Sequence, residues 1–210
     1  MKRITIIGAS GHGKVVADIA KLNGYDVIVF LDDNETVTSC GRYPVIGTCN
    51  KLANVDYDVF VAIGNAGIRK GIMDQYSDKS FPVLIHPHAV IADDVRIGKG
   101  TVIMAGAVVN SDSEIGEGCI INTTSSVDHD CVIGDYVHVA VGAHLCGTVT
   151  VGSGTWIGAG AIVSNNVSVC GGCMVGAGSV VVSDLAERGT YMGVPAKLKI
   201  NTCSHVEGIT

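Results

Sequence analysis

Aliphatic residues recur at every sixth position through the second half of the chain. Sixteen positions in steps of six, from Ile91 to Val181, are all Ile, Leu or Val. A second series begins four residues after the first and runs from Val95 to Ser179, also in steps of six. It holds only small or β-branched residues. This hexapeptide pattern is typical of a parallel β-helix, in which six residues form a short strand and a corner. Three hexads form one triangular coil, so the series predicts about five coils.

The two series predict which side chains fill the interior of the β-helix. The aliphatic residues should point inward and stack on their equivalents in neighbouring coils, and the second series should share the same narrow space. Glycines also recur with the period of one coil, and we expect them to provide positive φ angles at one corner: Gly98, Gly116, Gly134 and Gly152. Five cysteines fall in the second series or at corners, where packing is their expected role: Cys119, Cys131, Cys146, Cys170 and Cys173.

The first 84 residues follow a different pattern, in which strand-like and helix-like segments alternate. Buried strands are predicted at 2–7, 27–31 and 58–64, with helices from the glycine-rich turn at 8–13 to about 23 and from about 67 to 76. This alternation predicts a Rossmann-like βαβαβ sheet. The predicted domains are therefore residues 1–84, a Rossmann-like α/β unit, and 85–210, a parallel β-helix with a C-terminal tail.

Composition and charge narrow the function. Apolar residues make up 47% of the chain and charged residues 16%, which excludes wholesale disorder. Residues 91–182 carry two basic and eight acidic groups, so a phosphate-binding patch for nucleic acid is not expected there. No apolar run approaches the length of a membrane span and no secretion signal is evident, so we expect a cytoplasmic protein without membrane insertion.

The glycine-rich turn after the first strand resembles two nucleotide motifs without matching either. The segment 8–14 fits GxxxxGK, but Val15 stands where a P-loop requires Ser or Thr. Its GxxGxG spacing also differs from the GxGxxG dinucleotide fingerprint. Backbone N–H groups in such a turn can still bind phosphate. Polar residues at the ends of the next two strands support a nucleotide site at this edge of the sheet: Asp32, Asp33, Gly64 and Asn65. The alternative is a tight turn with solvated acids.

One histidine of the repeat stands between two acids. Asp128 and Asp130 flank His129, and a carboxylate beside an imidazole raises its basicity and can fix its orientation, as a general base requires. The alternative is a surface histidine. His86 and His88 are expected in a linker before the repeat. A zinc site is not expected, because no three histidines converge and Cys170-Gly-Gly-Cys173 has no second CxxC motif to pair with.

Taken together, these motifs resemble a known family over about residues 2–199. The matching segments are GASGHGK at 8–14, FLDDN at 30–34, AIGN at 62–65, IRK at 68–70, the run 122–143 and GVPAK at 193–197. The chain is similar to bacterial sugar acetyltransferases that join a Rossmann-like domain to a left-handed β-helix. This family includes UDP-4-amino-sugar and perosamine N-acetyltransferases and a sialic acid O-acetyltransferase group.

The resemblance implies a homotrimer that transfers an acetyl group from acetyl-CoA to the amino group of a nucleotide-linked sugar, with no metal. His129 is then the general base, and Asp130 tunes it, although relatives tend to have Glu at this position. The residues expected to bind acetyl-CoA are Asn122, His138, Gly147, Ala159 and Ala177. Those expected to bind the nucleotide sugar are Ser10, Gly11, His12, Asp32, Asp33, Gly64 and Asn65.

Three functional alternatives remain open from the sequence alone. The first is N-acetylation of a nucleotide-linked amino sugar of the 4-amino-4,6-dideoxy type. The second is O-acetylation of a free sugar such as sialic acid, with the same fold and base. The third is a protein without transferase activity, such as a zinc hydratase, a nicotinamide-binding protein or a structural solenoid. The nucleotide, the sugar epimer and the role of the tail at 198–210 are not determined by the sequence.

Overall fold

The computed structural model describes residues 1–199 and begins with a small parallel sheet. Its strands are β1 (Arg3–Ile7), β2 (Val27–Leu31) and β5 (Asp58–Val61), in the order β2-β1-β5. Helix α1 (Gly11–Leu22) connects β1 to β2, and helix α2 (Ala66–Gln75) follows β5. The predicted Rossmann-like unit is confirmed, with the third strand ending three residues earlier than expected. The end of the second predicted domain and most of the tail, residues 200–210, lie outside the described residues.

Between β2 and β5 the chain forms elements that the sequence pattern did not predict. These are a hairpin of β3 (Ser39–Cys40) and β4 (Tyr43–Pro44), followed by a 3₁₀ helix at Cys49–Asn54. These two-residue strands are too short to display an alternating pattern and, unlike the strands of the β-helix, they do not recur at a fixed spacing, so periodicity could not reveal them. No helix among residues 1–199 has the length and apolar character needed to cross a membrane.

The remaining strands form a parallel β-helix with three faces. The first face contains Val90–Ile91, Val108–Val109, Ser126–Val127, His144–Leu145, Ile162–Val163 and Val180–Val181. The second face contains Arg96–Ile97, Glu114–Ile115, Val132–Ile133, Thr150–Val151 and Ser168–Val169. The third face contains Leu84–Ile85, Val102–Ile103, Ile120–Ile121, His138–Val139, Trp156–Ile157, Met174–Val175, Thr190–Met192 and, antiparallel at its end, Lys197–Leu198.

Three columns of corners connect these faces. The first corner, between the first and second faces, includes 128–131 and 146–149. The second corner, between the second and third faces, includes 116–119, 134–137 and 170–173. The third corner, between the third and first faces, includes 122–125 and 158–161.

The interior follows the predicted hexapeptide pattern. Strands pair in register with those 18 residues away, as Val109 does with Val127. Every aliphatic position from Ile103 to Val181 is buried, and Ile91 and Ile97 are half-buried at the open end. The second series is buried from Thr101 to Ser179, because these side chains share the interior with the aliphatic stack. The predicted left-handed β-helix of hexapeptide repeats is thereby confirmed, with about six turns instead of five.

The β-helix begins earlier than the aliphatic series indicated. Leu84–Ile85 pairs with Val102–Ile103 and supplies the first strand of the third face. His86 donates its backbone N–H to the carbonyl of Ile103, and His88 accepts from the N–H of Gly106. The expectation that these histidines lie in a linker was therefore wrong, because both belong to the third corner of the first coil.

The expected reason for the periodic glycines was also wrong. None of Gly98, Gly116, Gly134 and Gly152 has a positive φ. Positive φ recurs instead at every sixth residue from Gly100 to Gly178, and eight of these fourteen residues are glycine. At the four periodic glycines, an added Cβ would lie less than 3.0 Å from backbone atoms of the next coil. Close stacking of coils therefore excludes a side chain at these positions.

We expect Gly134→Ala to lower the free energy of unfolding by about 1–3 kcal/mol, the range typical of overpacking. A Cβ at Gly134 would lie 2.7 Å from the backbone nitrogen of Ser153, which cannot move without displacing the next coil. Gly71→Ala in α2 is the control, because no atom lies within 4 Å of its added Cβ. It should gain about 0.5–1 kcal/mol. Urea unfolding of both variants tests this, and equal stability of the two would contradict it.

The N-terminal unit packs on the third face and the second corner of the β-helix. One apolar cluster joins Ile4 and Phe30 of the sheet to Val102 and Ile120 of the third face. A second cluster brings Tyr136 of the second corner against the other side of the sheet. The carboxyl ends of the parallel strands are thereby held next to one face of the solenoid.

Candidate active site

His129 projects from the first corner beside an acid. Its Nδ1 lies 2.6 Å from Oδ2 of Asp130, and both side chains are 55% exposed. Asp130 has a φ of 58°, one of the recurrent left-handed corner positions, where Asp and Asn occur more often than most residues. The fold therefore supplies the backbone turn that brings the carboxylate next to the ring.

This pairing fixes the protonation of the imidazole. A carboxylate only accepts hydrogen bonds, so Nδ1 carries the proton and Nε2 of the neutral ring keeps a free lone pair. The hydrogen bond to Asp130, together with the charges of Asp128 and Asp130, raises the pKa of His129 above its ordinary value. An exposed imidazole with a bare Nε2 and a raised pKa can accept a proton from an incoming nucleophile.

The backbone of His129 is held by a second acid. Oδ1 of Asp128 accepts the N–H of His129 at 2.9 Å and the side-chain amide of Asn110, one coil below, at 2.7 Å. These two bonds lower the pKa of Asp128. The two acids that flank His129 thus have separate roles, since one orients the ring and the other fixes the peptide.

Gly147 lies one coil above His129 and provides the space for its ring. An added Cβ at Gly147 would lie 2.6 Å from both Cε1 and Nε2 of His129. The sequence predicted Gly147 as an acetyl-CoA contact, and the structure places it against the candidate base itself.

His138 lies on the third face, beneath the N-terminal unit. It is 7% exposed, and its ring packs on Trp156 with centroids 4.3 Å apart. The amide nitrogen of Asn122 donates to Nε2 of His138 at 3.0 Å, while the amide oxygen accepts the N–H of Thr123. An amide nitrogen can only donate, so the ring proton of neutral His138 resides on Nδ1.

His138 and His12 both have lowered pKa values and are neutral at neutral pH. Burial, the charge of His12 and the charge of Arg69 lower the pKa of His138 to about 3. Burial and Arg69 lower the pKa of His12 to about 4. Nδ1 of His138 and Nε2 of His12 are buried without a hydrogen-bond partner. Neither histidine suits the role of a base at neutral pH, but both offer polar atoms to a ligand.

The glycine-rich turn and its acids lie at the carboxyl end of the sheet, as predicted. Ser10 is the N-cap of α1 without a side-chain cap bond, and Gly11 begins the helix with an exposed backbone. Asp32 accepts the N–H of Ala9 at 2.7 Å, so this acid closes the turn. Asp33 accepts the N–H of Cys49, at the start of the 3₁₀ helix. Both acids therefore shape the loops, a function that sequence spacing did not reveal.

Gly64 and Asn65 meet the β-helix at a cleft. Asn65 caps α2 by accepting the N–H of Ile68 at 3.0 Å, and a Cβ at Gly64 would lie 3.9 Å from the ring of Trp156. The cleft has a volume of about 570 Å³. Its lining includes Gly64, Asn65, His138, Trp156, Cys173 and Arg188.

The structure does not bring all the predicted site residues together within one chain. Gly64, Asn65 and His138 line the cleft at the third face. Ala159 and Ala177 are exposed on the third corner, in the column that contains Asn122. His129, Asp130 and Gly147 occupy the first corner, which is the vertex of the triangular coil opposite the third face. The candidate base and the cleft of the same chain therefore lie on opposite sides of the solenoid.

Two residues at the contact between units were not singled out from the sequence. Arg69 is fully buried and donates to the carbonyls of Ile63, Gly64, Gly118 and Tyr136 at 2.6–3.1 Å. Trp156 supplies the wall of the cleft beside His138. The sequence did contain a signal for Trp156, because the repeat has only one other aromatic residue and a tryptophan there is unusual. It contained no signal for Arg69, because a charged residue on a predicted helix is normally expected to be exposed. Residues 1–199 contain no group of three or more potential metal-ligating side chains.

A Rossmann-like unit packed on a hexapeptide β-helix, with an exposed His-Asp pair at one corner, defines the class of hexapeptide-repeat sugar acyltransferases. Residues 3–76 match the family model described as the PglD N-terminal domain. A UDP-N-acetylbacillosamine N-acetyltransferase of Bacillus subtilis (strain 168) is 36% identical over 113 residues. That alignment covers 50% of this chain and 52% of the relative, so the chain spans about half the length of this curated protein.

Solved structures match over almost the whole chain. The acetyltransferase domain of PglB from Neisseria gonorrhoeae FA1090 is 42% identical with a TM-score of 0.91, and the match covers 95% of this chain and 100% of that one. A perosamine N-acetyltransferase mutant from Caulobacter crescentus, in complex with CoA and GDP-perosamine, is 37% identical with the same TM-score, covering 96% and 98%. The chain belongs to this family of bacterial acetyl-CoA-dependent sugar N-acetyltransferases.

Proposed function

We propose that the protein transfers an acetyl group from acetyl-CoA to the amino group of a nucleotide-linked amino sugar, of the 4-amino-4,6-dideoxy type. The observation that carries this proposal is the exposed His129-Asp130 pair, whose Nε2 is free to accept a proton. The relatives support it, because the PglB domain has been solved with acetyl coenzyme A and the perosamine enzyme with GDP-perosamine.

The reaction is a direct displacement. The sugar amine attacks the thioester carbonyl carbon, so that a C–N bond forms and the C–S bond breaks. Nε2 of His129 takes the proton from the attacking nitrogen, and the imidazolium then gives this proton to the departing CoA thiolate, which restores the neutral base. Asp130 holds the ring and stabilises the imidazolium that forms, while a backbone N–H of the solenoid binds the developing oxyanion.

The active site is completed by a second copy of the chain, within a homotrimer. His129 faces away from the third-face cleft of its own chain, so another protomer has to bring its cleft to this corner. Exposed aliphatic side chains beside the first face support such an association, among them Val90, Val141 and Ile162 at 64%, 50% and 38% exposure. That the protein acts in the cytoplasm remains a prediction from the sequence.

Each substrate has its own group of residues in this proposal. Acetyl-CoA lies along the solenoid against Asn122, His138, Gly147, Ala159 and Ala177. The nucleotide sugar binds at the carboxyl ends of the strands, where Ser10, Gly11, His12, Asp32, Asp33, Gly64 and Asn65 form the turns. The buried, unpartnered nitrogen atoms of His12 and His138 support a polar ligand at this junction.

A thiol-release assay tests the proposed reaction. Acetyl-CoA is mixed with the protein and with UDP-, GDP- or dTDP-linked 4-amino sugars, and CoA release is followed with a thiol reagent. We expect turnover with at least one of these acceptors and none with free sialic acid. Activity on sialic acid alone would indicate O-acetylation instead, and no turnover with any acceptor would rule out the proposed function.

We expect Gly147→Ala to lower kcat about 10-fold or more, because a small misplacement of a reacting group has large effects on rate. The added methyl would occupy the space of the His129 ring and move Nε2 away from the amine. The matched control is Gly71→Ala, far from this corner. Steady-state kinetics with saturating acetyl-CoA measure the difference, and an unchanged kcat in a folded Gly147→Ala variant would contradict the predicted role.

A further inference from the structure

Two cysteines at the second corner of the last full coil have their sulfur atoms in contact. Sγ of Cys170 lies 3.4 Å from Sγ of Cys173, across the sequence Cys-Gly-Gly-Cys. Gly172, between them, has a φ of 71° and turns the chain so that both side chains face the same side. A disulfide requires these sulfur atoms to approach to about 2.05 Å, which is a small movement from the present separation.

The two thiols differ in their access to solvent. Cys173 is 2% exposed, and burial raises its pKa to about 11, assisted by the hydrogen bond with Cys170. Its Sγ also lies 3.5 Å from the carbonyl of Glu187. Cys170 is half-buried, so it is the thiol that an external reagent meets first. This arrangement pairs an accessible thiol with a buried one that can resolve a mixed disulfide.

No other pair of cysteines within residues 1–199 has its sulfur atoms in hydrogen-bond contact. Cys146 takes the position of Cys170 in an earlier hexad, but Val149 stands where Cys173 would be. The repeat therefore provides an internal comparison, in which a cysteine at the same position of the hexad, but in a different corner column, occurs without a second thiol. Packing alone accounts for one small residue in the interior, but it does not require a cysteine on both sides of the Gly-Gly turn.

We propose that Cys170 and Cys173 form a reversible disulfide by exchange with a low-molecular-weight disulfide such as oxidised glutathione. The Cys170 thiolate attacks the glutathione disulfide, forms a mixed disulfide and releases one glutathione thiolate. Cys173 then loses its proton and attacks Sγ of Cys170, which releases the second glutathione. The two cysteines are oxidised by two electrons in total, and the glutathione disulfide is reduced to two thiols.

The disulfide would form in the wall of the proposed substrate cleft. Cys173, Gly172 and Arg188 all line that cleft, and the side chain of Arg188 lies directly over Gly172. Closing the Cys170–Cys173 bond moves this turn and therefore the position of the guanidinium. The redox chemistry itself does not depend on the proposed acetyl transfer, so each can fail without the other.

The test is thiol mapping of the folded, full-length protein in glutathione buffers of increasing oxidised fraction. Free thiols are alkylated, the protein is digested, and the peptide with residues 170–173 is identified by mass. We expect this peptide to carry no alkyl groups and to be two hydrogen masses lighter than the unmodified dithiol peptide, and we expect dithiothreitol added before alkylation to restore both alkyl groups. Cys146→Ser, the matched control, should behave in the same way, and C170S and C173S should form no intramolecular bond.

Two outcomes would overturn the proposal. One is that both cysteines remain fully alkylated even when the glutathione is almost entirely oxidised. The other is that Cys170 stops at the mixed disulfide with glutathione, or crosslinks to a second chain, in protein whose circular dichroism is unchanged. Because the single variants can be compared with C146S for folding, a loss of stability in C170S or C173S does not obscure the result.

Discussion

His129→Ala is expected to lower kcat for acetyl transfer about 10²–10⁴-fold, the range typical of removing a general base. The reason is that the two neighbouring carboxylates of the first corner are weaker bases than an imidazole and already accept hydrogen bonds. Asp130 is acidic and already accepts the hydrogen bond of Nδ1–H. We expect the variant to keep its fold, because the His129 side chain is largely exposed and contributes little to the core.

The matched control is His88→Ala, which removes another exposed histidine from a corner of the same solenoid. It should keep the kcat of the unmodified protein. Stopped assays with saturating acetyl-CoA and acceptor measure both variants, and light scattering checks their assembly. If His129→Ala retained near-normal turnover, the proton would have to be taken elsewhere and the proposed role would be wrong.

The pH profile provides an independent measurement of the same base. His129 acts only when it is neutral, so kcat should rise with pH through its raised pKa. Asp130→Asn removes the carboxylate that stabilises the charged ring, so the pKa of His129 falls and the rise moves to lower pH. The plateau should also fall, because the ring is no longer held in one tautomer. A rise that stays in place in this variant would exclude His129 as the titrating group.

The β-helix could be predicted from the sequence because its periodicity repeats sixteen times. Each hexad has to place one aliphatic side chain inside and one small residue beside it, so the requirement is visible at every step. The role of Gly134 was not visible in this way. Glycine can be required at a corner either because the backbone has a positive φ or because the next coil lies too close for a side chain. Only the three-dimensional structure distinguishes these two reasons.

The candidate site was predictable only where its residues are neighbours in the sequence. His129 and Asp130 are adjacent, so their contact follows from one turn of backbone. The pairing of His138 with Trp156 joins two coils, and its burial depends on the N-terminal unit that covers the third face. Likewise, Asp32 could be recognised as an acid after a strand, but not as the partner of the Ala9 N–H.

Arg69→Met is expected to lower the free energy of unfolding by about 3 kcal/mol or more, because hydrogen bonds of a charged donor are worth about 1.5–3 kcal/mol each. Arg69 donates to four carbonyls, two from the turn after β5 and two from successive second corners. Methionine fills a similar volume but donates to none of them, so buried acceptors are left without a partner. Burial lowers the pKa of Arg69 to about 10, so the guanidinium remains charged at neutral pH.

Lys70→Met is the matched control, because it removes the next positive charge of the same helix. Lys70 forms an exposed ion pair with Asp74, and exposed ion pairs contribute little to the free energy of unfolding. Urea unfolding should therefore separate the two variants, and equal stability would contradict the role of Arg69. Hydrogen exchange locates the effect. Because Arg69 bonds both units, Arg69→Met should speed amide exchange at the second corner as well as in α2, whereas a defect confined to the helix would affect α2 alone.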